Sequence, residues 1–137
     1  MASFLSAVVR AEPGARFELV DHVTGRVLVP NLEAAVDSAS RRKGLLGRDG
    51  LPEGTGLVIA PTNAVHTFFM KFPIDIAFVT KAGRVLKVRE AVPARRVAAA
   101  LRAFAVIELA GGEARRAGLT PGTLVIARAT NHPTAEV

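Results

Sequence analysis

HTFFMKFPIDIAFV, residues 66–79, decides the reading of this chain. Four of the seven Phe residues, Phe68, Phe69, Phe72 and Phe78, fall inside it, and the chain has no Tyr and no Trp. The bulky aromatic filling of a core is therefore expected from this segment. The same stretch carries His66, Lys71 and Asp75 among apolar neighbours. Polar groups buried without partners are costly, so core and candidate site are expected to coincide here. Period-2 alternation reads 65–71 as a strand, with His66, Phe68 and Met70 on one face and Thr67, Phe69 and Lys71 on the other. Pro73 interrupts, and 74–80 is the clearest strand of the chain.

Working outward, Ala82 and Gly83 turn the chain into a strand at 84–89. Residues 104–109 are apolar on both faces, the pattern of a strand buried on both sides. Upstream, 56–60 is a short apolar strand, and 17–20 with 26–29 read as a hairpin around Thr24 and Gly25. Residues 32–36 suit a strand or a helix. Asp37 or Ser38 then caps a helix running to about residue 46. The Ala-rich stretch 96–102 suggests one or two helical turns. Residues 113–117 make a short helix whose Glu113 start and Arg115 and Arg116 end suit its dipole. A type II turn at 120–123 leads into a last strand at 124–127.

Many short strands at turn-rich spacing with brief helices predict an α+β fold. We expect a single compact β-rich domain, its mostly antiparallel strands curled toward a barrel, with two or three short helices. Residues 1–15 read as a poorly ordered arm, 16–128 as the globular domain and 129–137 as a polar tail. The expected core holds Phe68, Met70, Ile76, Phe78, Val106, Ile107 and Leu109.

Length and composition fit this. At 137 residues, half of them hydrophobic, one domain with a sizeable core is the default. Cys is absent, which excludes disulfides, thiolate zinc sites and a Cys nucleophile. His22, His66 and His132 are too scattered for a metal pair. No Gly-rich phosphate loop and no G-x-S-x-G elbow is present. No metal and no cofactor is expected. The net charge is +6, and fourteen of the eighteen basic residues are Arg. They are scattered, so any nucleic-acid binding is expected to be weak and independent of sequence. The apolar run at 4–9 is shorter than the core of a signal peptide and no basic segment precedes it. No run approaches the ~18 residues of a membrane span. A cytoplasmic chain is expected.

The order of parts then becomes recognisable. RRKGLLGR at 41–48, LPEGTGLVI at 51–59, HTFFMKFPIDIAFV at 66–79, GRVLKV at 83–88, VIELAGG at 106–112 and AGLTPGTLV at 117–125 together resemble the uncharacterised domain of unknown function 192 family. The resemblance covers about residues 32–127. The family commonly has a Trp where Phe69 stands and often a Cys near Pro93, and neither is present here. The resemblance implies a compact β-rich α+β domain and no particular activity.

Six residues carry candidate chemistry: Arg41, Arg48, His66, Lys71, Asp75 and Glu108. Asp75 lies between two Ile residues and Glu108 inside the apolar AVIELA, so each needs hydrogen bonds, a cation or a raised pKa. Asp75 either holds a turn by accepting backbone N–H bonds or serves His66 as base or orienter. Arg41 and Arg48 are the expected partners of Glu108, because a planar guanidinium suits bidentate pairing. His66 is either a packed ring or a ligand-contacting imidazole. At least some of the six are expected to converge on one cleft beside the aromatic strand. The leading reading is a non-catalytic binding or accessory domain for a protein partner or a small anionic ligand. The rivals are an enzyme using His66 and Asp75 with Arg support, and a weak nucleic-acid binder.

Overall fold

The computed structural model describes residues 3–130. In chain order its elements are α1 (Ser6–Val9), β1 (Phe17–Asp21), β2 (Val27–Ala35), α2 (Ser38–Lys43), β3 (Thr55–Ile59), β4 (Ala64–His66), β5 (Ile74–Val79), β6 (Val85–Val92), β7 (Val97–Ala99), β8 (Ala105–Ala110), α3 (Glu113–Ala117) and β9 (Val125–Ala129). Seven strands form one mixed sheet in the order β6-β5-β8-β3-β2-β1-β9, and β4 and β7 pair as a separate two-stranded ribbon. Only β2 and β3 run parallel; the other neighbours are antiparallel. This is a β-rich α+β fold with three short helices.

The sheet curls without closing. Its edge strands β6 and β9 approach at one end, where Arg84 and Leu124 form an isolated antiparallel bridge. Val125 N–H donates to the Gly83 carbonyl at 2.8 Å and Val85 N–H to the Thr123 carbonyl at 2.9 Å. Gly83 is required at this seam. Its φ is +102°, and a Cβ there would collide with the Val125 carbonyl oxygen.

Two clusters pack on the two faces. The concave face gathers Leu19, Val29, Leu32, Val58, Ile107 and Leu109 with residues from both edge strands. The convex face carries Leu57, Ile59, Ile74, Ile76, Phe78 and Val106, and is covered by Leu45, Leu51 and Ala98. Alternation along each strand sorts the side chains: in β8, Val106 and Glu108 face the convex side and Ile107 and Leu109 the concave side.

Several expectations are corrected. Residues 3–11, within the supposed arm, are built in. Phe4, Leu5 and Val8 are buried in the concave cluster. Phe4 N–H donates to the Lys81 carbonyl, and its own carbonyl accepts from Ala127 N–H. The expected tail starts inside β9, and residues 131–137 with His132 lie outside the described residues. The stretch 96–102 supplies strand β7 and no helix: it pairs with β4, and its Ala98 and Ala100 pack against the convex cluster at the two-residue spacing of a strand. Ile76, Phe78, Val106, Ile107 and Leu109 are buried as expected. Phe68 is not: the strand at 65–71 ends at His66, and Phe68 and Phe69 lie in an exposed turn. Met70 is half-buried against the convex cluster.

Candidate binding site

The floor of the site is set by sheet register. Glu33, Leu57, Glu108, Ile76 and Arg89 form one row across β2, β3, β8, β5 and β6. Glu108 is thus placed mid-sheet on the convex face, with Leu57 and Ile76 as lateral neighbours. Above it, α2 and the turn after it form one wall of a cleft of about 580 Å³, with Arg41, Gly44 and Leu45 on that side. The opposite wall is β4, with Val65 and His66.

Local sequence explains these walls. The Asp37 carboxylate caps α2 by accepting Ser40 N–H at 2.8 Å, and the same bond holds its pKa below the usual carboxylate range. The helix stops at Lys43 because Gly44 takes φ +48°. A Cβ at Gly44 would sit 3.7 Å from Glu108 Oε1, so the missing side chain keeps Glu108 open to the cleft. On β4, Ala100 N–H bonds to the Asn63 carbonyl and Thr67 N–H to the Arg96 carbonyl. Antiparallel alternation then leaves the His66 N–H and C=O facing away from β7. Lys87 Nζ on the Ala99 carbonyl at 2.6 Å agrees with that phase.

Glu108 is the unusual group. It is 5% exposed. Its carboxyl has no hydrogen bond or ion pair among the described residues. No sealed side-chain polar atom is left without a partner there, so its oxygens are the part that meets the cleft. Burial pushes its pKa up to about 7. At neutral pH the group is poised between an acid that donates a hydrogen bond and a carboxylate that accepts one.

The other five candidates separate. Arg41 is half-buried on the cleft wall and, among the described residues, its side chain reaches only Ser38 Oγ, at 3.4 Å. His66 is exposed on the facing wall, its ring 5.6 Å from Phe68. Arg48 is committed elsewhere: it grips Glu33 with two bonds of 2.7 and 3.2 Å, and this contact raises its pKa. Glu33 lies two strands from Glu108, roughly 10 Å at ordinary strand spacing. The expected Arg48–Glu108 pair is therefore absent. Lys71 contacts Asp49 at 3.3 Å on the surface.

Asp75 lies on the concave face, opposite to Glu108, fully buried. One oxygen accepts Ala91 N–H and the other accepts Ala114 N–H, both at 2.8 Å. It fastens the irregular end of β6, where Ala91 takes φ +47°, to the start of α3. Neither a bond to His66 nor one to Arg41 is formed. β4 and β5 do not make a hairpin, because the chain crosses from the ribbon to the main sheet at Pro73. The cleft also contains groups the sequence did not single out: Ser38, Arg42 and Thr62. Ser38 reads in the sequence only as a candidate helix cap and Arg42 only as part of the motif at 41–48, while Thr62 carries no sequence signal.

The family model described as uncharacterized ACR, domain of unknown function 192, matches residues 20–127. The match begins twelve residues before the stretch, about 32–127, that the sequence resemblance covers, and takes in β2. Among solved structures, the chain is similar to a Sinorhizobium meliloti 1021 protein provisionally called a transcription regulator. They share 22% identity at a TM-score of 0.71, over 82% of this chain and 92% of that one. It is also similar to a protein of unknown function from Novosphingobium aromaticivorans DSM 12444. Here identity is 27% and TM-score 0.65, over 84% and 89% of the two chains. No curated protein matches. Among the described residues no helix is long and apolar enough to cross a membrane, and no cluster of three metal-ligating side chains occurs.

Proposed function

The chain belongs to the domain of unknown function 192 family, and from that premise we propose that it is a non-catalytic binding domain whose α2–β4 cleft takes a small anionic ligand. The observation that carries this is Glu108, a nearly buried carboxyl on the cleft floor with no partner among the described residues. A buried polar group calls for a partner, and a ligand oxygen supplies one when Glu108 is protonated. Arg41 and Arg42 add two cations on the same wall, neither in an ion pair among the described residues. Leu45, Ile59 and Val65 offer an apolar body to pack on. A bound anion favours the protonated form of Glu108, so binding takes up a proton. A cytoplasmic location belongs to the same proposal.

The rival readings have less to draw on. Both oxygens of Asp75 are occupied by backbone N–H groups, so a His66–Asp75 dyad lacks its second member. The regulator name of the Sinorhizobium protein belongs to that protein, and likeness at 22% identity speaks for fold alone. Arg48, Lys71, Arg115, Arg116 and Arg128 are paired with carboxylates, which weakens any basic field for nucleic acid.

Titration calorimetry with small carboxylates and phosphates tests the proposal. Binding is expected to be tighter at pH 6 than at pH 8 and to lose roughly tenfold or more with Arg41→Ala. Glu108→Gln should keep binding and lose the pH dependence. No heat with any of these anions, or binding indifferent to both substitutions, would remove the cleft from consideration.

A further inference from the structure

The β4–β7 ribbon and its two turns occupy residues 61–72 and 93–104, and neither stretch contains an Asp or a Glu. They contain Lys71, Arg95, Arg96 and Arg102. They also hold four of the large hydrophobic side chains exposed among the described residues: Phe68, Phe69 at 83%, Val97 at 65% and Leu101 at 94%. Such side chains are common singly on surfaces, but their concentration in one acid-free ribbon calls for an explanation.

Two of them are tips. Phe69 lies in the turn after β4 and Leu101 in the turn after β7, at opposite ends of the ribbon. Each has a cation close in sequence, Lys71 for Phe69 and Arg102 for Leu101, and Arg95 and Arg96 precede Val97. The Phe69 turn is held in place. Thr67 is buried, its hydroxyl donates to the Pro93 carbonyl at 2.7 Å and accepts Arg96 N–H at 2.9 Å, and its carbonyl takes Met70 N–H at 3.1 Å. Within that frame Phe69 has φ +68°, a left-handed conformation unfavourable for a bulky residue. Strain of this kind persists where the surroundings impose it, and it collects at functional sites.

We propose that this ribbon docks the protein on an anionic lipid surface, with Phe69 and Leu101 entering the headgroup layer and Arg95, Arg96 and Arg102 meeting the lipid charges. Protruding apolar tips beside cations suit a lipid interface, which accepts separate points of insertion. A protein partner instead requires a matching surface over the whole patch. Charge complementarity runs one way, since the ribbon has no carboxylate of its own and Asp49, which reaches it, is offset by its contact with Lys71. The inference does not depend on what the cleft binds.

Sedimentation of the full chain with phosphatidylcholine vesicles, with and without phosphatidylserine, tests it. The chain should pellet with the phosphatidylserine vesicles only, and added salt should release it. Phe69→Gly combined with Leu101→Ser should lower partitioning by more than about tenfold. Arg95→Gly and Arg102→Gln should each lower it about fivefold. Glycine suits the φ of +68° at residues 69 and 95, so the melting temperatures of Phe69→Gly alone and Arg95→Gly alone should not fall. Val23→Ser, an exposed apolar change in the β1–β2 turn, should leave partitioning unchanged. Pelleting with neither vesicle, or equally with both, overturns the proposal. So does binding that survives loss of both tips. If polyglutamate displaces the chain from vesicles and itself requires the tips, the surface belongs to an acidic protein and the lipid assignment fails.

Discussion

Replacing Glu108 by Gln should make the protein's stability less dependent on pH, by an amount the structure sets. Burial moves the carboxyl pKa from 4.5 to about 7. In the unfolded chain the group returns to its ordinary value. The folded pKa is the higher one, so the native state binds the proton more tightly. The stabilisation is fully present below about 4.5 and is lost as pH rises to about 7, after which nothing further changes. Each pKa unit corresponds to about 1.4 kcal/mol, which gives about 3 kcal/mol over that interval. The oxygens touch cleft water, so about 2–3 kcal/mol is the working figure. Gln has nearly the same shape and never ionises. The difference in unfolding free energy between parent and variant should therefore drift by that amount between pH 4.5 and pH 8, with the parent losing ground as pH rises. Urea unfolding at closely spaced pH values measures it, provided the urea dependence is the same for both proteins. Other titrating groups are shared and cancel. A difference constant within ~0.5 kcal/mol across the range would mean that Glu108 ionises as if in water, and the account of the cleft floor would be wrong.

Phe78 is fully buried on the convex face, and Phe78→Ala should cost ~3–5 kcal/mol by chemical denaturation; a loss below ~1 kcal/mol would contradict its place in the core. Asp75→Asn turns an amide NH2 toward Ala91 or Ala114 N–H and should cost ~1–3 kcal/mol. Combined with Arg41→Ala in a double-mutant cycle, the losses should add within ~0.5 kcal/mol, because the two residues lie on opposite sides of the sheet; coupling above ~1 kcal/mol would show them in contact. Filter binding should find only weak retention of nucleic acid that fades as salt rises, and retention at high salt with preference for one sequence would reverse that view.

What the sequence made legible follows from what hydrophobic pattern encodes. Alternation and apolar runs located β3, β5 and β8, and the buried carboxylates Asp75 and Glu108 stood out because each interrupts such a run. The partners of those groups were hidden. Asp75 bonds to the backbone at Ala114, thirty-nine residues away, and any residue type supplies the same N–H. Arg48 was assigned to Glu108 on the pairing chemistry of its guanidinium, while its actual partner, Glu33, sat in a stretch, 32–36, whose conformation was ambiguous. Phe68 and Phe69 were misplaced for a different reason. Apolarity at residues 65–71 is the same whether the strand continues or stops, and what stops it is Thr67 bonding to Pro93 and Arg96, twenty-six and twenty-nine residues downstream. The left-handed Phe69 has no compositional signature. The short run at residues 4–8 could not announce its docking site, because that site exists only where the sheet's two ends come near each other.

Phe4 bonds at once to Lys81, in the turn between β5 and β6, and to Ala127 of β9. The first residues thus act as a stopper in the gap of an incompletely closed sheet. Open strand edges recruit other chains, so the stopper bears on self-association as well as on folding. The family match begins at residue 20, inside β1. A polypeptide started there would lack both the stopper and most of the strand joining β2 to β9, leaving bare edges on β2, β6 and β9. Its failure would take the form of aggregation through strand pairing, even with every residue of the cleft intact.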